Sequence, residues 1–309
     1  MITKRNFLVS AFVAAFSVFA SFSSSSLAQI VTIEHAQGKV ELSSNPQKVV
    51  VFDLASLDNM KRLGLEDVIV GVPQSPLPDY LESFGDDKYS KMGTLFEPDF
   101  EAVAASAPDL IIVGGRSQAK YADLAKIAPT IDLTVDNDHY LETVERNVRI
   151  LGDIFDKKTQ AEQELELLKQ DVDQIKAQAA DKGRGLLILT TGGKMSAYGP
   201  GSRFGILHSD FGVVAAESDL SVGNHGQPIS FEFILETNPD WLFVIDRDAA
   251  IGRGEGAAQA LLDNPVVNKT VAASKEQIVY LKPQNWYLIG GGLSGLHQTI
   301  EQLRDAYQK

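Results

Sequence analysis

The chain has 309 residues, 44% of them hydrophobic and 22% charged, the composition of an ordinary globular protein with enough length to bury two cores. Its formal charge of −13 argues against nucleic acid or an anionic membrane surface as partner. It contains no cysteine, so neither disulfides nor thiolate metal sites are available, and no lipid anchor on an N-terminal cysteine is expected.

Lys4 and Arg5 precede an apolar run from Phe7 to Phe22, and Ser26-Leu27-Ala28 fits the small-x-small cleavage rule. This predicts a signal peptide over residues 1–28 and a mature chain free in an exported compartment such as a periplasm. Removing the leader takes away Lys4 and Arg5 and no acidic residue, so −13 becomes −15. Next, Val31 to Leu42 reads as a polar hairpin turning at Gln37-Gly38. Lys48 to Phe52 is a buried-strand run, Ala55 to Leu63 a helix closed by Gly64, and Val68 to Val72 another strand. Pro73 to Phe96 reads as a long loop with little regular structure, of the kind that is often functional. Phe100 to Ala107 is a helix, and Leu110 to Val113 a strand that ends in Gly114-Gly115-Arg116.

Ala161, Leu165, Leu168, Val172, Ile175 and Ala179 are spaced four, three, four, three, four, which puts one apolar stripe on one face of a helix. With Asp156 as N-cap and Gly183 just past the end, that helix covers residues 157–182, roughly 39 Å at about 1.5 Å per residue. Such a rod is a stiff spacer, so large hinge closure is not expected. It divides the mature chain into an N-terminal lobe of residues 29–156 and a C-terminal lobe of residues 183–309.

The second half repeats the strand–helix rhythm. Gly185 to Thr190 and Lys194 to Tyr198 are strands, Ser202 to Phe211 a helix entered through Gly199-Pro200-Gly201, and Phe231 to Thr237 a helix. Trp241 to Ile245 and Ile278 to Leu281 are strands, and Leu293 to Tyr307 a closing helix. Alternating strands and helices predict α/β lobes, each a mainly parallel, Rossmann-like sheet covered on both faces. A sharper repeat lies within this rhythm. Phe100-Glu101, Pro108-Asp109 and Arg116 recur as Phe231-Glu232, Pro239-Asp240 and Arg247, at a constant spacing of 131 residues (Phe100 to Phe231). Two related lobes place a cleft between them.

Ligands of open parallel sheets bind beyond the carboxyl ends of the strands, which is where Arg116 and Arg247 fall. Arg203 sits at the expected start of a helix, where backbone N–H groups also favour an anion. Three converging guanidiniums in so acidic a chain suit a multivalent anion with hard oxygens. His225 and Tyr287 lie in stretches read as loops near the cleft mouth. By themselves they read as a solvated histidine and, with Trp286, an edge-of-core plug. The Gly290-Gly291-Gly292 run is expected to let the last helix start close to the sheet. No G-x-S-x-G, H-E-x-x-H, P-loop or dinucleotide fingerprint is present, so a binding role is preferred over an enzyme, with an exported hydrolase of anionic esters as the enzymatic alternative.

Taken in order, Gly-Gly-Arg at 114–116, Gly-Ser-Arg-Phe-Gly at 201–205, Asn-His-Gly at 224–226, Asp-Arg at 246–247 and Asn-Trp-Tyr at 285–287 carry a resemblance. The mature chain resembles the helical-backbone class of periplasmic binding proteins that serve ABC importers, most of all catecholate siderophore receptors of the CeuE type. The resemblance implies that Arg116, Arg203 and Arg247 hold a ferric catecholate beside Trp286. It further implies that His225 and Tyr287 complete the Fe(III) coordination, and that Glu101 and Glu232 dock on the permease of a permease–ATPase complex. It implies no intrinsic cofactor, iron arriving only as the siderophore complex, and a monomer is expected. A tetradentate bis-catecholate leaves two iron positions open, which a phenolate and an imidazole can fill. A receptor of the same fold for haem, cobalamin or another iron chelate is the alternative.

Overall fold

The computed structural model describes residues 30–308. Leader and cleavage site lie outside the described residues. The chain opens with the antiparallel pair β1 (Ile30–His35) and β2 (Gly38–Ser43), which turns at Ala36-Gln37, one residue earlier than expected. Then follow β3 (Val49–Val51), α1 (Leu54–Arg62), β4 (Ile69–Gln74), β5 (Ser90–Thr94), α2 (Phe100–Ser106), β6 (Leu110–Val113), α3 (Tyr121–Leu124), β7 (Thr130–Asp132) and α4 (Tyr140–Ile154). Their strands form one all-parallel sheet in the order β5-β4-β3-β6-β7. The expected long loop therefore contains a 3-10 stretch, Asp79–Gly85, and the edge strand β5. Ser90-Lys91-Met92-Gly93-Thr94 has neither β-branched density nor strict alternation, so its strand character comes from pairing with β4.

Helix α5 (Lys158–Ala179) has 22 residues and buries the six stripe residues named above. It is shorter than the 157–182 span because Asp156 has φ +53 and cannot cap it, while at the other end Ala180 closes the helix before Gly183. Beyond it come β8 (Arg184–Thr191), β9 (Lys194–Tyr198), α6 (Ile206–Ser209), β10 (Val214–Ala215), β11 (Gln227–Ile229), α7 (Phe231–Thr237), β12 (Trp241–Asp246), α8 (Arg247–Ala250), α9 (Ala257–Leu262), α10 (Val271–Ser274), β13 (Ile278–Tyr280) and α11 (Leu293–Tyr307). The second sheet runs β11-β9-β8-β12-β13, with β10 also on β8. It is mixed, because β8 and β9 are joined by the two-residue turn Gly192-Gly193, whose positive φ angles of +53° and +76° suit a tight hairpin.

The 131-residue repeat has a structural basis in both lobes. Helices α2 and α7 end in left-handed residues, Ala107 (φ +47) and Asn238 (φ +43). The aspartate that follows then pins the start of the neighbouring strand: Asp109 accepts from the N–H groups of Gln47 and Lys48, and Asp240 accepts from that of Arg184.

Burial follows strand period. Val49, Val51, Leu110 and Ile112 face one core, while Val50, Ile111 and Val113 face another. In the second sheet Leu187, Leu189, Trp241, Phe243 and Ile245 join the first of those cores, and Leu186, Ile188, Leu242 and Val244 form a third. The inner faces of the two sheets, with α4, α5 and α11, thus share one continuous core instead of two separate ones. A shared core, with one face of a single long helix packed on it, resists hinge motion.

The last helix ties the lobes together. Its first turn lies on α1, where Asn59 Oδ1 accepts from Leu293 N–H at 2.8 Å and Asp58 Oδ2 accepts from Gly295 N–H at 3.0 Å. The Gly290–Gly292 run therefore threads between α4 and α1: a Cβ at 291 would meet Val135 and Val144, one at 292 would meet Asp58, and Asn59 Nδ2 donates to Gly291 O. Burial pushes the Asp58 carboxyl up to about 6, against the pull of its hydrogen bonds from residues 294 and 295. A carboxyl raised in the folded state binds its proton more tightly there than in the unfolded chain. The stability it confers is full at acid pH and is lost as pH rises from about 4 to about 6. Asp58→Asn keeps an acceptor for Gly295 and removes the charge, so melting curves should show the variant gaining on wild type, by roughly 2–3 kcal/mol, between pH 4 and pH 7.5. Parallel pH profiles for the two proteins would disprove this role.

Candidate functional site

Side chains beyond the carboxyl ends of β6 and β12 meet the segment between β13 and α11 in a cleft of about 780 Å³, a size suited to a small-molecule ligand. Arg116, Arg203, Arg247, His225, Trp286 and Tyr287 all line it. Tyr287 is the centre of the group. It lies in a π-helical turn, Asn285–Ile289, and not in a loop as expected; such turns are frequent at functional sites. Carbonyls near the end of so short a turn have no partners within it and are open to side chains.

The arginines take up that opening. Arg116 donates through Nη2 to the Tyr287 carbonyl and through Nη1 to the Leu288 carbonyl at 3.2 Å, reaching from the first lobe to the last segment of the chain. Arg203 Nη2 donates to the Tyr287 carbonyl at 2.7 Å. Arg247 Nε donates to the Tyr287 phenol at 2.7 Å, and its Nη1 donates to Thr191 Oγ1 at 3.2 Å. The guanidinium carbons of Arg116, Arg203 and Arg247 lie 5.3, 4.6 and 5.3 Å from the centre of the Tyr287 ring.

Each arginine is placed by local structure. Arg116 follows β6 by three residues, where Ser117 closes the Gly114 turn through its backbone N–H. Arg247 opens α8, and Asp246 holds that start by accepting from the N–H groups of Ala249 and Ala258. Arg203 precedes the four-residue α6 and is not at the start of a helix over Ser202 to Phe211. The Gly201–Gly205 turns replace the first half of that helix, so Arg203 acts through its guanidinium alone, packed on Phe204 at 5.0 Å.

Clustering shows in the protonation behaviour. Burial, and then the charge of Arg203, pull Arg116 down to about 10, which leaves it charged at neutral pH. Burial alone would raise the Tyr287 phenol, but the hydrogen bond from Arg247 and the charges of Arg203, Arg247 and Arg116 outweigh it and hold the phenol below its usual value. The nearby Asp53 carboxyl is raised by burial while its oxygen caps α1 through Ser56.

His225 is exposed on the Gly223–Gly226 turn at the rim of the cleft. The structure records no hydrogen bond between it and Tyr287. Trp286 is 6% exposed and packs edge-on to Phe204 at 6.4 Å, so it backs the cleft wall and offers the cleft little surface. Thr191, Gln118, Asn137, Tyr140 and Phe96 also line the cleft and were not singled out from the sequence. The last four come from the segments after β5, β6 and β7, although Tyr140, Val144, Val148 and Leu151 do carry helical spacing.

Glu101 and Glu232 are exposed second residues of α2 and α7 and form no ion pair among the described residues. Both helices return between parallel strands, so both glutamates sit at the carboxyl-end edge of their sheet. Among the described residues no helix is long and apolar enough to cross a membrane, and no three or more His, Asp or Glu side chains are grouped to hold a metal ion.

Comparison with known proteins agrees with this architecture. The petrobactin-binding protein YclQ of Bacillus subtilis (strain 168) is 42% identical over 282 residues, spanning 90% of this chain and 89% of that protein. Its crystal structure superposes with a TM-score of 0.88 at 40% identity, covering 91% of this chain and 99% of that chain. The periplasmic catecholate-siderophore binding protein VctP of Vibrio cholerae gives a TM-score of 0.85 at 35% identity, covering 90% and 100%. BauB, solved with a complex of two acinetobactin molecules and ferric iron, gives 0.83 at 31% identity, covering 91% and 99%. These relatives are binding proteins and not enzymes. With residues 49–285 matching the family model described as periplasmic binding protein, the chain belongs to the periplasmic binding protein family.

Proposed function

We propose that this chain is the exported, soluble receptor of an ABC importer and captures a ferric catecholate siderophore in the cleft, holding it with Arg116, Arg203 and Arg247. The observation that carries the reading is the convergence of three guanidiniums on Tyr287 in a protein with net charge −13. A ferric bis-catecholate is an anion, so it gains from that local positive charge, whereas a neutral cargo leaves three half-buried charges without a counterion. The relatives' cargoes, petrobactin, catecholate siderophores and ferric acinetobactin, support the same ligand class.

Fe(III) prefers anionic oxygen donors. A tetradentate bis-catecholate supplies four, and the Tyr287 phenolate and the His225 imidazole fill the remaining two positions. The depressed phenol supports this role, since less free energy is needed to remove its proton. The exposed turn that carries His225 can approach the iron once the chelate is seated. Glu101 and Glu232 dock on matching basic points of a two-fold permease, and because one chain already carries both, a monomer suffices.

Titration with ferric siderophores, followed by quenching of tyrosine and tryptophan fluorescence, tests the reading. Tyr287→Phe and His225→Ala should each weaken a ferric bis-catecholate and shift its charge-transfer absorption, and matter far less for a hexadentate tris-catecholate, which leaves no iron position open. Equal losses for both chelates would reduce the two residues to pocket lining.

A further inference from the structure

We infer that Phe96 is a specificity-determining residue that stacks on the aromatic rings of the bound chelate, an inference that rests on the ligand class proposed above. Phe96 is 57% exposed and lines the cleft from the first lobe, while its neighbour Leu95 is 7% exposed and anchors the turn in the core. A single exposed hydrophobic residue is ordinary on a protein surface. This one differs because its backbone is locked to present it and because the surface it faces is a binding cleft.

The lock is dense. Thr94 N–H donates to Glu97 O at 2.9 Å, and Thr94 Oγ1 accepts from the N–H groups of Phe96 and Glu97 at 3.3 and 3.1 Å. Gly93 has φ +92 and faces Glu97 O so closely that a Cβ would lie 2.4 Å from it, which leaves glycine as the residue that lets the turn close. Asp99 N–H donates to Met92 O across the base of the turn. Glu97 pairs with Lys120 at 2.8 Å, tying the turn to the segment just after Arg116. Phe96 is therefore carried on a closed turn that lines the same cleft as the arginines, and it pairs with no other ring among the described residues.

Arginines recognise chiefly the charge and the oxygen atoms of a chelate. A phenyl ring with two side-chain torsions, carried on a fixed backbone at the cleft, adds a preference for flat aromatic donors, because stacking it costs little conformational entropy.

The test is titration with the iron(III) complex of a linear bis(dihydroxybenzamide), using wild type and three variants whose melting temperatures are measured alongside. Phe96→Ala should bind about 3- to 10-fold more weakly, as expected for loss of one aromatic pair. Phe96→Trp should bind as wild type does, and Phe96→Leu, apolar without a ring, should recover less than half of the loss. An alanine variant equal to wild type, or a leucine variant equal to wild type, overturns the stacking role while leaving the receptor reading intact. Absence of binding by wild type itself overturns both.

Discussion

Replacing Glu101 and Glu232 together with alanine is expected to leave siderophore titration unchanged and to collapse import through the cognate transporter. Each carboxylate sits in the first turn of a short helix, where the helix end itself favours negative charge. In Glu232 its own backbone N–H and the Ser230 hydroxyl lower the carboxyl further, so it is fully ionised at neutral pH. That local stabilisation explains one glutamate at a time. It does not explain the same residue at the same step of both lobes, exposed and without an ion pair among the described residues. Two equivalent charges at the strand-carboxyl edges match a partner that presents one surface twice. Rim charges of this kind set register and association rate more than cargo affinity. Single variants should retain part of the uptake. Normal uptake by the double variant, at wild-type export level, would remove these residues from the docking surface.

Arg247→Ala is expected to weaken ferric bis-catecholate binding by about 1–3 kcal/mol, as for a partly desolvated charge-assisted contact, with Lys restoring only part because it lacks the planar fork. Alanine at Arg116 or Arg203 should cost a similar amount. The Arg247 variant has a further signature, since its Nε is the donor to the Tyr287 phenol. In the proposed coordination iron takes Tyr287 as phenolate, so below the phenol's pKa binding should release a proton and strengthen as pH rises, levelling off above it. Wild type, with its depressed phenol, should level off early. Removing Arg247 raises the phenol and moves the plateau to higher pH, whereas Arg116→Ala, which loses contacts to carbonyls, should move it less. Identical pH profiles for wild type and Arg247→Ala would show that the phenol is not an iron ligand.

The sequence by itself determined those features whose cause is local. The stripe from Ala161 to Ala179 and the span of α11 follow from side-chain spacing, and the start of α7 from its local Ser230 cap, and the structure has them as read. The paired Arg116 and Arg247 were visible because one strand–turn pattern occurs twice at fixed spacing. Tertiary structure decided the rest. Ser90–Thr94 becomes a strand because β4 offers it an edge, and α6 is cut to four residues by the turns that precede it. Asp58 and Asn59 cap a helix that begins 234 residues after Asn59, a contact that no local pattern encodes. The same holds for Tyr287. Its place among three guanidiniums depends on carbonyls freed by a π turn and on arginines from both lobes, 171, 84 and 40 residues away in the chain. Long-range contacts of this kind are set by which faces the shared core brings together, and spacing along the chain carries no record of that.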